Sequence, residues 1–148
     1  MAKRILVPLD GSVTAEALLD VVADTARGGG AAVRLLRVAP LLNSLVGADG
    51  RVVAYADQEM EREEAEALDY LRSVEGRLAG IDVDYIVRFG QPLDEILREA
   101  DAFNADLIAV GTAGRSGLSR AILGSVAEQV VRKAAVPVLL FRAGRSAH

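Results

Sequence analysis

Short apolar runs alternate with longer amphipathic stretches from one end of the chain to the other, a rhythm that predicts five strands and four helices. Ile5-Leu6-Val7 opens the chain as a buried strand. Ser12 or Thr14 can cap a first helix, on which Leu18, Val21, Val22 and Thr25 recur on one face until Gly28-Gly29-Gly30 stops it. A second strand, Val33 to Val38, follows at once.

Ala39 to Ala56 reads as a long connection, with Pro40, Gly47 and Gly50 as breakers, yet Leu41, Leu42, Leu45 and Val46 make it unusually apolar, as in a loop that covers something. From Asp57 a helix is predicted to about Leu78, with Leu68, Leu71, Val74 and Leu78 inward. The carboxylates of Asp57, Glu59, Glu61, Glu63, Glu64 and Glu66 fit a helix start favoured by the macrodipole and a solvated face better than a metal site. Asp82 to Arg88 alternates as a strand at or near an edge, one face partly wet. Gly90-Gln91-Pro92 starts a helix whose buried stripe is Leu93, Ile96, Leu97, Ala100 and Phe103, with Asp94 and Glu95 suiting its dipole. Leu107 to Val110 is apolar throughout and hence central. A glycine-rich loop, a helix through Val126, Val130, Val131 and Ala134, and a last strand, Val138 to Phe141, complete the chain.

Strands and helices alternating at this spacing imply right-handed crossovers and a parallel sheet covered on both faces, a three-layer, doubly wound α/β domain. Residues 1–142 read as one such domain and 143–148 as a frayed tail. In such sheets ligands bind beyond the carboxyl ends of the strands, which directs attention to Asp10, Val38 and Gly111.

Composition narrows the chemistry. The 148 residues include no Cys, and the one His, His148, lies in the tail, so thiolate-ligated and His-ligated metal sites and disulfides are disfavoured. A formal net charge of -4 gives no footprint for wrapping a nucleic acid. Apolar runs fall far short of the ~20 residues of a bilayer span, and Asp10 interrupts any signal-peptide core. The expectation is a soluble, cytoplasmic protein with neither nucleic acid nor membrane as partner.

The informative stretch runs from Gly111 to Ser125. Glycines let backbone N–H groups approach a ligand without an intervening Cβ and permit positive φ, both of which an anion cradle needs. Ser125 and Glu128 have capping-box spacing, so a helix N-terminus points into the same space. Gly111 would equally serve to relieve crowding at a strand end, and Ser125 with Glu128 would equally serve as a cap alone. Arg115 can screen phosphate charge or simply be solvated. The loop does not fit G-x-x-x-x-G-K-[ST], since no Lys precedes Ser125.

Gly111, Gly114, Gly124 and Ser125 do fit another pattern: G, two residues, G, nine residues, then G and Ser or Thr. Together with the opening Ile5-Leu6-Val7-Pro8-Leu9-Asp10-Gly11-Ser12, the strand Leu35-Leu36-Arg37-Val38 and the ending Val136-Pro137-Val138-Leu139-Leu140, the chain resembles the ATP-binding subgroup of the universal stress protein family over essentially its whole length. That resemblance implies a sheet of strand order 3-2-1-4-5 and a homodimer joined through the C-terminal strand. It further implies ATP held by Asp10 at the ribose or adenine, by the Val38 backbone at the adenine edge, and by Val110 and Gly111 along the ribose. Gly114, Gly124, Ser125 and Val126 would meet the phosphates, which would carry Mg²⁺. Pro8 and Val38 read as packing surfaces beside the nucleotide. Ala113 stands where family members often have His, which removes one phosphate or proton-transfer partner.

Phosphoryl transfer needs a group to position water and charge to stabilise the transferred group. The sequence offers weak candidates for both. It therefore favours a nucleotide-dependent stress-response sensor with an unidentified protein partner, with at most slow ATP hydrolysis or self-phosphorylation. The alternatives are a slow enzyme and a dimeric scaffold with no nucleotide.

Overall fold

The computed structural model describes residues 3–10, 13–40, 51–111 and 125–141, with the side chains of 13–16, 51–57 and 125 left aside. Five strands, β1 (Arg4–Pro8), β2 (Ala32–Ala39), β3 (Asp82–Phe89), β4 (Leu107–Gly111) and β5 (Val138–Phe141), form one parallel sheet in the order β3-β2-β1-β4-β5. The expected strand order and the edge position of β3 are both observed. Ile5, Leu6 and Val7 are at most 1% exposed because β1 is central and covered on both sides.

Four helices cover the two faces: α1 (Val13–Gly29), α2 (Arg51–Glu75), α3 (Pro92–Phe103) and α4 (Ser125–Lys133). Period-two alternation sends Ile5, Val7, Leu9, Val33 and Leu35 into one core with Leu18, Leu19 and Val22 of α1 and Leu71 and Val74 of α2. Leu6, Leu36, Ile108 and Val110 enter the other, with Ile96 and Phe103 of α3 and Ala127 and Val130 of α4.

Three expectations need correcting. Helix α2 begins at Arg51, inside the stretch expected to be a connection, and ends at Glu75 with a 3-10 turn, Gly76–Leu78, after it. Its carboxylates therefore lie mid-helix rather than in the first turn, where the dipole would favour them, and Glu61, Glu64 and Glu66 are solvated. The inward stripe of α1 is Leu18, Leu19, Val22, Ala23 and Ala26, whereas Thr25 is exposed and donates to the Val21 carbonyl at 3.0 Å. On α4, Val131 is 46% exposed while Ala127 and Val130 face the core.

The α3 face also carries charge into the interior. Arg34 on β2 donates through Nε and Nη2 to both Asp84 oxygens at 2.9 and 3.0 Å, and through Nη1 to Glu99 Oε2 at 2.7 Å. Arg88 on β3 donates to Glu99 Oε1 at 2.7 Å and to Glu95 Oε1 at 2.8 Å. Arg98 closes the network on Glu95 Oε2 at 2.5 Å, and the Arg34 guanidinium stacks 4.4 Å from the Phe103 ring centroid. Glu99 is 1% exposed, a burial tolerable for a carboxylate only because two guanidiniums satisfy it. Hydrogen bonding by Asp84 holds Arg34 above the usual arginine range against the opposing effect of burial, with Glu99 adding to it. Glu95 does the same for Arg88, again against burial and with help from Glu99. A raised arginine contributes stability at all pH below its unfolded value and loses it only as pH rises through the folded one. Both arginine contributions are therefore flat across neutral pH.

Candidate functional site

The carboxyl edge of the sheet holds those residues singled out from the sequence that fall among the described ones. Pro8 ends β1, followed by buried Leu9 and exposed Asp10. Val38 lies one residue before the end of β2, and Val110 and Gly111 end β4. Since β4 and β5 are parallel, α4 must run back from this edge, which puts its N-terminus, Ser125 and half-buried Val126, on the same side. Gly114, Arg115 and Gly124 lie outside the described residues, as does the Ser125 side chain.

Two backbone features shape this edge. The first is the early end of one ladder. β1 stays paired with β2 as far as Pro8↔Leu36, and one further bond runs from the Leu9 N–H to the Leu36 carbonyl at 2.8 Å. Toward β4, pairing stops at Leu6↔Ile108, although β4 remains paired with β5 through Gly111↔Phe141. Pairing between β1 and β4 thus ends before either strand does, where the strand order reverses, the place at which doubly wound sheets bind ligands.

The second is an edge of backbone polarity left unspent among the described residues. The Leu36 carbonyl points at β1, and the Ala39 carbonyl points the other way, accepting from the Gly90 N–H at 3.0 Å. By alternation, the Val38 N–H and carbonyl point toward β1 at a level where β1 has already ended. A planar heterocycle with one donor beside one acceptor matches such a backbone edge.

Other side chains complete the rim. Arg37, half-buried on the opposite face of β2 from Val38, donates through Nη1 to the Leu9 carbonyl at 3.4 Å and lies 5.9 Å from the Tyr70 ring centroid. Sequence reading did not single it out. Its signal is that it is one of two charges, with Arg34, in an otherwise apolar strand. Glu128 is in the first turn of α4, as expected, but its Oε2 accepts from Arg132 at 3.1 Å, four residues on, so it is engaged along the helix. A second hollow, of about 390 Å³, lies at the amino edge between α3 and α4, lined in part by Leu97, Asn104, Lys133 and Val136, away from these residues. Among the described residues there is no acidic or histidine cluster that could hold a metal ion, and no helix long and apolar enough to cross a membrane.

Comparison with known proteins agrees with this architecture. The profile of the universal stress protein family matches residues 1–142. The chain is 34% identical over 142 residues to the universal stress protein MJ0531 of Methanocaldococcus jannaschii, covering 95% of this chain and 82% of that one. It is similar to MJ0577 of the same organism, whose solved structure superimposes with a TM-score of 0.84 at 29% identity, covering 97% of this chain and 98% of that one. A universal stress protein family protein from Arabidopsis thaliana, solved with AMP bound, shares the fold with a TM-score of 0.65 at 17% identity, covering 96% and 92% of the two chains.

Proposed function

The chain belongs to the universal stress protein family, and from that premise we propose that it is an ATP-binding member acting as a nucleotide-dependent sensor. The observation that carries this reading is the early end of the β1–β4 pairing at the point where the strand order reverses, beside the space past the end of β1 that the Val38 backbone faces from β2. Adenine would pair with the Val38 edge, Asp10 would take the ribose or base, and Val110 and Gly111 would line the sugar. The phosphates would reach Gly114, Gly124, Ser125 and Val126 at the N-terminus of α4, with Arg115 screening charge and Mg²⁺ riding on the phosphates. That the same fold holds AMP in the Arabidopsis protein supports the reading by analogy. Binding is favoured over hydrolysis because the stretch from Gly111 to Ser125 contains no Asp, Glu, His or Lys to position water or balance the charge of a transferred phosphoryl group.

Isothermal titration with Mg-ATP tests it. At ~100 times its dissociation constant the ligand adds about 2.7 kcal/mol, roughly 5–10 °C of melting temperature for a domain of this size. Nucleotide-free protein that shows neither heat nor a melting shift at millimolar ATP overturns the proposal.

We further propose a homodimer through β5, whose outer edge is unpaired in the sheet order. Leu139 and Phe141 pack against the α1–α2 core, so charging them would damage the fold itself. Leu140, 37% exposed, is the residue to change. Leu140→Arg is expected to convert a dimer to monomer in sedimentation at micromolar protein with little change in circular dichroism. A parent that sediments as a monomer ends this proposal.

A further inference from the structure

The early end of the β1–β4 pairing has a covalent cause. Along β1 the backbone groups alternate between neighbours: the Lys3 carbonyl accepts from Ala32 of β2 at 2.8 Å, the Arg4 carbonyl accepts from Asp106 on the β4 side at 2.7 Å, and the Leu9 N–H donates to β2. Residue 8 therefore faces β4. On β4, the Ile108 N–H donates to the Pro137 carbonyl on the β5 side at 3.1 Å, so Ala109 and Gly111 face β1. The next register pairs beyond Leu6↔Ile108 would be Val7 with Ala109 and Pro8 with Val110. In a parallel ladder both of them need the same bond, from the N–H of residue 8 to the Ala109 carbonyl. Proline has no N–H, and the pairing stops at that point.

We infer that Pro8 is a positioning residue for the nucleotide: by withholding one N–H from the β1–β4 ladder, it keeps the crevice open and leaves the Gly111 N–H directed into it. This rests on the ATP-binding reading and gives it a mechanism. Every other amino acid at this position supplies the missing donor, which extends the ladder and lets the carbonyl of residue 8 take up the Gly111 N–H. The crevice that should hold the ribose then becomes continuous sheet. A proline inside a central strand ordinarily weakens a sheet. Here the lost rung falls at the switch point, on the side where an opening is useful, while the β2 side stays fully paired.

Pro8→Ala tests the inference, because it adds the N–H and removes bulk. Three readings are taken on parent and variant: hydrogen exchange of the residue 8 amide, melting temperature without ligand, and affinity for Mg-ATP and for adenosine. The expected result is a slowly exchanging amide at position 8, a melting temperature equal to or above that of the parent, and affinities for both ligands reduced tenfold or more. Weaker binding in an equally stable or more stable protein is a combination that simple damage to the fold does not produce. A rapidly exchanging amide at position 8 overturns the inference, and so does a protected amide with ATP affinity within twofold of the parent. A parent that binds no ATP instead overturns the ATP-binding reading on which the inference rests, so the two failures are distinguishable.

Discussion

Glu99→Ala is expected to lower the unfolding free energy by about 3 kcal/mol and the melting temperature by roughly 6–12 °C. The side chain is 1% exposed and bridges Arg34 on β2 to Arg88 on β3, each at 2.7 Å. Removing it leaves two guanidiniums short of a partner in a region that water reaches poorly. Breaking a buried pair from one side costs about 3–5 kcal/mol in general. The lower end applies here, because Arg34 and Arg88 are 25% and 29% exposed and keep Asp84 and Glu95 respectively. Glu99→Gln keeps an acceptor and the volume, so it should cost less than alanine. Urea unfolding of the three proteins decides the matter. A loss below 1 kcal/mol for alanine would mean that the network is held for geometry and contributes little to stability.

This network shows where reading the sequence stops. The strands, their parallel sense and the site edge were legible because each is announced locally, by apolar runs, Gly and Pro punctuation, and the repetition of strand and helix. The charged face of α3 was not. Glu95 looked like a complement to the helix dipole, and Glu99 broke no pattern, because Ile96 and Phe103 already mark a buried stripe beside it. The partners of Glu99 stand 65 positions away for Arg34 and 11 for Arg88, and only the fold brings all three together. The shared signal was there, though weak: Arg34, Asp84 and Arg88 sit on one face of adjacent strands, and Glu95 and Glu99 are four apart on a helix. The early start of α2 was hidden for a different reason. Gly47 and Gly50 favour extending the loop through Ala56, whereas the helix begins immediately after them at Arg51. At the site, Pro8 was read as a packing surface. What matters there is an N–H that is not present, which becomes visible only when the register of both neighbouring strands is known.

The other large effect is expected in the glycine loop, where Gly114→Val should weaken Mg-ATP binding by a hundredfold or more, about 2.7 kcal/mol. The reasoning is backbone geometry. The segment that contains Gly114 connects the end of β4 at Gly111 to the N-terminus of α4, and the proposed function has the phosphates held along it. A branched Cβ there would occupy the phosphate path and turn main-chain N–H groups away from the anion. Ser125→Ala should be milder, since it removes one hydroxyl and up to ~1 kcal/mol of helix capping while the N–H groups of the α4 terminus remain. The melting temperature of Gly114→Val without ligand is expected to match that of the parent. Titration calorimetry with circular dichroism reads both quantities. Parental ATP affinity in a natively folded Gly114→Val protein would mean that the phosphates are held outside the glycine loop.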